Sequence, residues 1–337
     1  MSGNIAVRGT FRRLVRVFFT CSIRMLSLLL AVSVISFALV TMSPVDPVQQ
    51  YITGLGTAVS PEQRAKIEDY WGVNEPPVRR YMGWLSELVR GNLGESALYR
   101  RPVADIIGER FLNSLALMLC AWLLSGVTGF FLGCIMGMYE DRWPDKLLKR
   151  ICYVLSSTPT FWLGLVFLIV FCVGLGWFPV GFSSPVGVLR ADVTLWQRIH
   201  HLILPAFTLS LMSFANIALH TRRKLSDVLN SEYVLFARAR GEGPYTILCR
   251  HGLRNILLPG LTLQFASFAE LFGGSVMAEN VFSYPGLGSA VSAAGQNGDV
   301  PLLLGVTLCS ALFVCTGNMM ANLLYRVVDP QIRKELR

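Results

Sequence analysis

Between Ile151 and Leu189 the chain runs for 39 residues without a charged side chain, and Leu112–Met138 gives a second such run of 27. A helix needs about 20 apolar residues to cross a hydrocarbon core of about 30 Å. Backbone inside lipid must satisfy its own hydrogen bonds, so runs of this length force transmembrane helices. Met25–Val45 (21 residues), Leu202–Thr221 (20 residues), Asn255 to about Phe282, and Val300–Tyr325 extend the pattern to six spans. The fifth is the least apolar and contains Gln264, Glu270, Gly273, Gly274 and Glu279. Ile151–Leu189 is too long for one straight span. Pro159 can kink its start, and Gly174–Gly176 followed by Trp177-Phe178-Pro179 marks its outer end at an interfacial aromatic position. The expectation is an all-α membrane protein with six transmembrane helices.

The distribution of charge orients these spans. Only 15% of residues are charged, against about a quarter in soluble domains, and the mean hydropathy is +0.50. Lys and Arg gather in four segments: five in residues 1–24, which hold no acid, four in Tyr139–Arg150, seven from Arg222 to Arg254, and four in the tail from Arg326. Excess positive charge marks cytoplasmic loops, which places both termini inside. The remaining ten lie in residues 43–110 and 180–200. The expected division is a basic arm (1–24), a first span (25–45), an external subdomain of short helices (46–110), a five-helix core (111–326) with a cytoplasmic loop at 225–255, and a tail (327–337). The arm and first span also resemble a signal peptide, but the apolar stretch is long and no A-x-A site follows. Residues 46–110 fit a capping segment without ligand contact equally well. Gly126, Gly129, Gly133 and Gly137 lie about one turn apart and invite close approach of another helix.

Catalytic and metal motifs are missing from the text of the chain. It contains no G-x-x-x-x-G-K-[ST], no G-x-S-x-G, no HExxH and no CxxC among its eight cysteines, of which six sit in apolar runs and none in the long external loop. No nucleic-acid motif accompanies the net charge of +9. A non-enzymatic membrane protein is expected, with an ion-coupled carrier as the main rival and an intramembrane hydrolase behind it. A carrier would be expected to show paired repeats and broken helices.

The specific signal is Glu232–Pro259, EYVLFARARGEGPYTILCRHGLRNILLP. The Gly241-Glu242-Gly243-Pro244 turn interrupts a helical pattern, and Arg250, His251 and Arg254 follow on the polar side of a second helix. Two short helices about a glycine turn make a knob for a groove on a partner. By composition alone the stretch could instead lie on anionic lipid. The stretch resembles the cytoplasmic motif of permeases of ABC importers, in particular the dipeptide/oligopeptide/nickel permease family. GNLGES with RPV, STPTFWLGL (157–165), LGWFPVG (175–181), HLILPAFTLSL (201–211), GGSVMAENVFSYPGLG (273–288) and VDPQIR (328–333) resemble further family motifs in the same order. Gly243-Pro244 and Asn113, which stands where the family often has Pro, depart from the pattern.

The resemblance implies the type I importer permease fold in a bacterial inner membrane. It implies a second, distinct permease in the pore, two ATP-binding subunits that carry ATP and Mg, and an extracytoplasmic substrate-binding protein, with lipid around the spans. No cofactor and no metal is expected in this chain itself, and no nucleic-acid partner. Ala237, Arg238, Ala239, Arg240, Gly241 and Arg250 would form the element coupled to the ATPase. The cargo would be a di- or oligopeptide or a nickel or other metal chelate, with a slight lean to metal because Glu270 stands where the peptide branch more often has an apolar residue. An intramembrane carboxylate is costly and marks function by default, so Glu270, Glu279, Gln264 and His220 are candidates for the substrate path. Each has a plainer reading. Glu270 could bond backbone or a partner helix, Glu279 could be a solvated interfacial acid touching the outer turn, and His220, with Met212, could simply pack.

Overall fold

The computed structural model describes residues 3–42, 48–49, 52, 60–70, 75–188 and 192–328. The expected tail beyond 328 and parts of the 46–110 segment lie outside these residues. Among the described residues the chain is helical, and a single antiparallel bridge joins Glu95 to Pro102. Thirteen α-helices are described: α1 (Gly3–Met42), α2 (Pro61–Tyr70), α3 (Pro77–Val89), α4 (Val103–Met138), α5 (Trp143–Ser157), α6 (Thr160–Phe167), α7 (Leu195–Leu229), α8 (Glu232–Ala239), α9 (Pro244–Ile247), α10 (Leu253–Ala266), α11 (Phe268–Val281), α12 (Leu287–Gln296) and α13 (Val300–Val328). Wider π-type turns extend α6 to Gly174 and join α9 to α10 over Leu248–Gly252.

Four helices are long and apolar enough to cross a membrane unbroken: Ser22–Met42, Val103–Met138, Leu195–Leu229 and Val300–Met320. The other two expected spans are bent pairs. Trp143–Ser157 and Thr160–Gly174 meet at 106°, and Pro244–Ala266 and Glu270–Val281 at 54°. Six spans result when each pair counts once. The first bend falls at Thr158-Pro159, where the ring of Pro159 fixes φ at −60° and removes a donor. The charge-free run from Ile151 therefore starts inside α5, on the far side of that bend. Pro205, expected to open the fourth span, sits inside α7, which begins ten residues earlier at a Thr194–Gln197 capping box.

The chain falls into two compact units, residues 1–110 with 290–319, and residues 111–289 with 320–337. In the first, α3 packs on α1 through Tyr81 and Trp84 against Phe37, and Ser33 shares a 2.8 Å hydrogen bond with Tyr81 Oη. The buried Asp299 caps α13 by accepting from Leu302 N (3.2 Å). It also accepts from Leu98 N (3.0 Å) and Ser96 Oγ (2.5 Å), which ties down the loop before α4.

In the second unit α7 is the central element. Gly129, Gly133 and Gly137 of the glycine stripe on α4 lie against it. A methyl group on Gly129 would come within 2.9 Å of Phe214 O, and one on Gly133 within 2.7 Å of Ala218 O, so nothing larger than hydrogen fits. α7 also takes α5, through Cys152 and Leu155 in one cluster with Leu211, Ala215 and Ala218. Below this contact an acidic loop closes on Arg222. Asp145, fully buried, accepts from Arg222 Nε (2.6 Å) and Nη2 (2.7 Å) and from Asp141 N (2.9 Å). Glu140 accepts from Ser226 Oγ at 2.6 Å.

Candidate functional site

Residues 225–255 form the knob expected between the fourth and fifth spans. Its interior is a small apolar cluster of Val234, Ala237 and Ile247 with Val228 and Leu229 packed against it. The i, i+3 spacing of Val234 and Ala237 puts both on the inner face of α8. The turn that follows needs Gly241, whose φ of +84° is in the left-handed region that β-carbons disfavour. Gly243 then caps α9, with Pro244 at its first position, where no donor is missed. Arg240 Nη2 donates to Glu242 Oε1 at 2.9 Å, and His251 Nε2 lies 3.2 Å from Oε2. Burial alone would raise the pKa of the Glu242 carboxyl. The hydrogen bond from His251 and the charge of Arg240 outweigh it and hold the group below its usual range.

The expected coupling residues divide. Ala239, Arg240, Gly241 and Arg250 are exposed on the knob. Arg238 is exposed too and reaches back to Leu229 O at 3.4 Å. Ala237 is fully buried in the knob's own core, in one cluster with Val234 and Ile247. In its place the structure exposes Leu235 (66%), Phe236 (71%) and Tyr245 (75%) around the turn. Their placement outside the Val234–Ala237 face was the available signal. An aromatic and aliphatic rim with arginines among it has the composition of a protein interface.

The four candidates for a substrate path have unlike surroundings. Glu279 is fully buried and is not a solvated interfacial acid. It does touch the outer turn, as expected. Its carboxylate accepts from Ser114 Oγ (2.6 Å) and Ser289 N (3.0 Å), Gly286 packs directly on it, and Ser114 Oγ in turn accepts from Leu287 N at 2.7 Å. Asn113, a departure from the family pattern, donates to Pro285 O at 2.8 Å. Burial first, and the Glu279 charge second, push the Tyr284 phenol up. Gln264 is buried and bound reciprocally to Trp122: its Nε2 donates to Trp122 O (2.5 Å) and its O accepts from Trp122 Nε1 (2.7 Å). His220 is half-buried, and its Nδ1 has no hydrogen-bond partner among the described residues. Glu270 alone of the four is exposed. Among the described residues no three His, Cys, Asp or Glu side chains gather as metal ligands would.

The family described as the binding-protein-dependent transport system inner membrane component matches residues 129–334. The chain is 34% identical over 306 residues to the oligopeptide transport system permease protein AppB of Bacillus subtilis (strain 168), which covers 90% of this chain and 95% of that one. It is also 34% identical over 310 residues to the glutathione transport system permease protein GsiC of Escherichia coli (strain K12), covering 90% and 94%.

Proposed function

Because the chain belongs to the binding-protein-dependent transport system inner membrane components, and is a permease subunit of an ATP-driven importer rather than an enzyme, we propose that it moves short peptides and that its knob at 232–252 receives the stroke of an ATPase. The observation that carries the second part is the exposed rim of Leu235, Phe236 and Tyr245 around Gly241, mounted on a knob with its own apolar core. A knob with a core moves as one piece, so a force on its rim reaches α7 and α10, between which it is strung. ATP and Mg belong to two partner subunits at this surface. A second permease completes the pore, a binding protein delivers cargo on the opposite face, and both termini lie on the knob's side of the membrane.

Peptide is favoured as cargo because the relatives are named for oligopeptide and glutathione transport. A metal cargo would rest on Glu270 alone, which stands exposed with no ligand set around it among the described residues. Glu270, exposed on the fifth span, is the best candidate for cargo contact.

Two measurements test the reading. Phe236→Ala with Tyr245→Ala should release the ATP-binding subunits during purification and abolish substrate-stimulated ATP hydrolysis; unchanged recovery and stimulation would sink the coupling role. The ligand retained by the purified binding protein should be a peptide, and a bound metal chelate would overturn that assignment.

A further inference from the structure

We propose that α5 carries a binding site for the headgroups of anionic phospholipids, at the membrane surface where the helix begins. The argument starts from a separation of charge within residues 140–150. Two of the three acids turn inward: Asp145 and Glu140 close on Arg222 and Ser226, and Lys149 joins them at 3.5 Å from Asp145; Asp141 stays exposed but lies 3.8 Å from Arg222 and 4.0 Å from Lys149. Three cations turn outward. Arg142, Lys146 and Arg150 are exposed, and none has an ion pair or a side-chain hydrogen bond among the described residues. A loop that had only to be soluble would pair these charges with the three acids beside them.

The outward face is also apolar. Trp143 (74% exposed), Leu147 (40%), Ile151 (43%) and Val154 (64%) recur at steps of four, four and three residues, so they share one sector of the helix. Lys146 and Arg150 occupy the adjoining sector, and Arg142 directly precedes the helix. The opposite sector, with Asp145, Leu148, Cys152 and Leu155, is the one packed on α7. An indole and aliphatic stripe flanked by unpaired cations matches the inner boundary of a bilayer, where the stripe meets acyl chains and the cations meet phosphate. An acidic protein surface would suit the cations but not a stripe that continues without a charge into the Ile151–Leu189 run. The lipid is therefore the occupant.

Each Lys or Arg near such a surface gives roughly a fivefold preference for anionic lipid, and three give on the order of a hundredfold before salt screening. The test uses the importer assembled with its partner subunits in nanodiscs. Brominated phosphatidylglycerol or brominated phosphatidylcholine is included at equal fraction in a phosphatidylcholine bilayer. Trp143 is read as the difference between wild type and Trp143→Phe. Phosphatidylglycerol should quench this component at least about threefold more than phosphatidylcholine, and the excess should shrink between about 0.05 and 0.5 M salt. The triple variant Arg142→Gln/Lys146→Gln/Arg150→Gln should lose the excess and keep the phosphatidylcholine quench. Equal quenching by the two lipids overturns the site. So does absence of quenching by either, which would show the face covered by protein. The wild-type comparison stands alone if the triple variant does not assemble.

Discussion

Two turns bracket the fifth span, and they are built in opposite ways. The turn at Gly241 keeps a minimal interior of Val234, Ala237 and Ile247 and sends its largest side chains, Phe236 and Tyr245, outward. The turn at 282–289 buries nearly everything it has, including Phe282, Tyr284, Leu287 and the carboxylate of Glu279. The first spends apolar surface on something outside the chain. The second spends a buried charge to hold itself to Asn113 and Ser114 at the head of the second span. A transporter needs both kinds of joint, one that accepts a load and one that does not yield.

The sharpest way to break this contrast is at Glu279. Glu279→Ala takes the acceptor from the Ser114 hydroxyl and from Ser289 N in a buried site, at a cost of about 3 kcal/mol. The thermal unfolding midpoint of the purified importer should fall accordingly, and an unchanged midpoint would mean the outer turn is not held by this residue. A matched glycine pair comes next. Gly286→Ala drives a methyl into the Glu279 carboxylate and should cost about 1–3 kcal/mol. Gly241→Ala meets open space and pays only for its left-handed backbone, about 1 kcal/mol. Yet the second should lose more transport per unit of stability, because the shape of the knob is what the partner reads. Phe236→Ala should leave stability within about 0.5 kcal/mol of wild type. The same change should weaken recovery of the ATP-binding subunits by about fivefold or more, as loss of an interface anchor does. Equal losses in the two readouts would erase the distinction between the turns.

What the sequence disclosed follows from how local each cause is. The glycine stripe at 126, 129, 133 and 137 announces a close helix contact because its spacing is its meaning. That the partner of Gly129, Gly133 and Gly137 is α7, from Phe214 to Leu225, and that of Gly126 is Gln264 of α10, depends on residues some 85 or more positions away and is not written in the stripe. Pro159 announces a break, but its 106° comes from how α5 and α6 pack on α7. Glu279 was legible as a contact of the outer turn and illegible as a buried group, since the hydroxyl that receives it stands 165 residues earlier. The helix Leu287–Gln296, rich in Ser, Ala and Gly, has too weak a pattern to be seen inside a loop. In the knob, ARARG shows its small residues and arginines but neither the rim of larger neighbours nor the burial of Ala237.

The smallest effect lies in the pair of contacts that closes the Gly241 turn. Glu242 holds Arg240 and His251 together, and its carboxyl has a pKa below its usual range in the folded chain. A carboxyl lowered on folding stabilises above its unfolded pKa, and the contribution is lost as pH falls through the lowered value. The turn should therefore keep its full closure above the ordinary carboxylate pKa and lose it progressively as pH falls from there through the lowered value. Amide exchange over residues 238–252, corrected for its intrinsic pH dependence, should show this. In Glu242→Gln the same segment should exchange faster at neutral pH and show no further step on acidification. The outer turn, closed through Glu279 on Ser114 and Ser289, should show no such difference between the two proteins. If both turns loosen together in the variant, the knob is not an independent joint, and its rim cannot be read apart from the core that carries it.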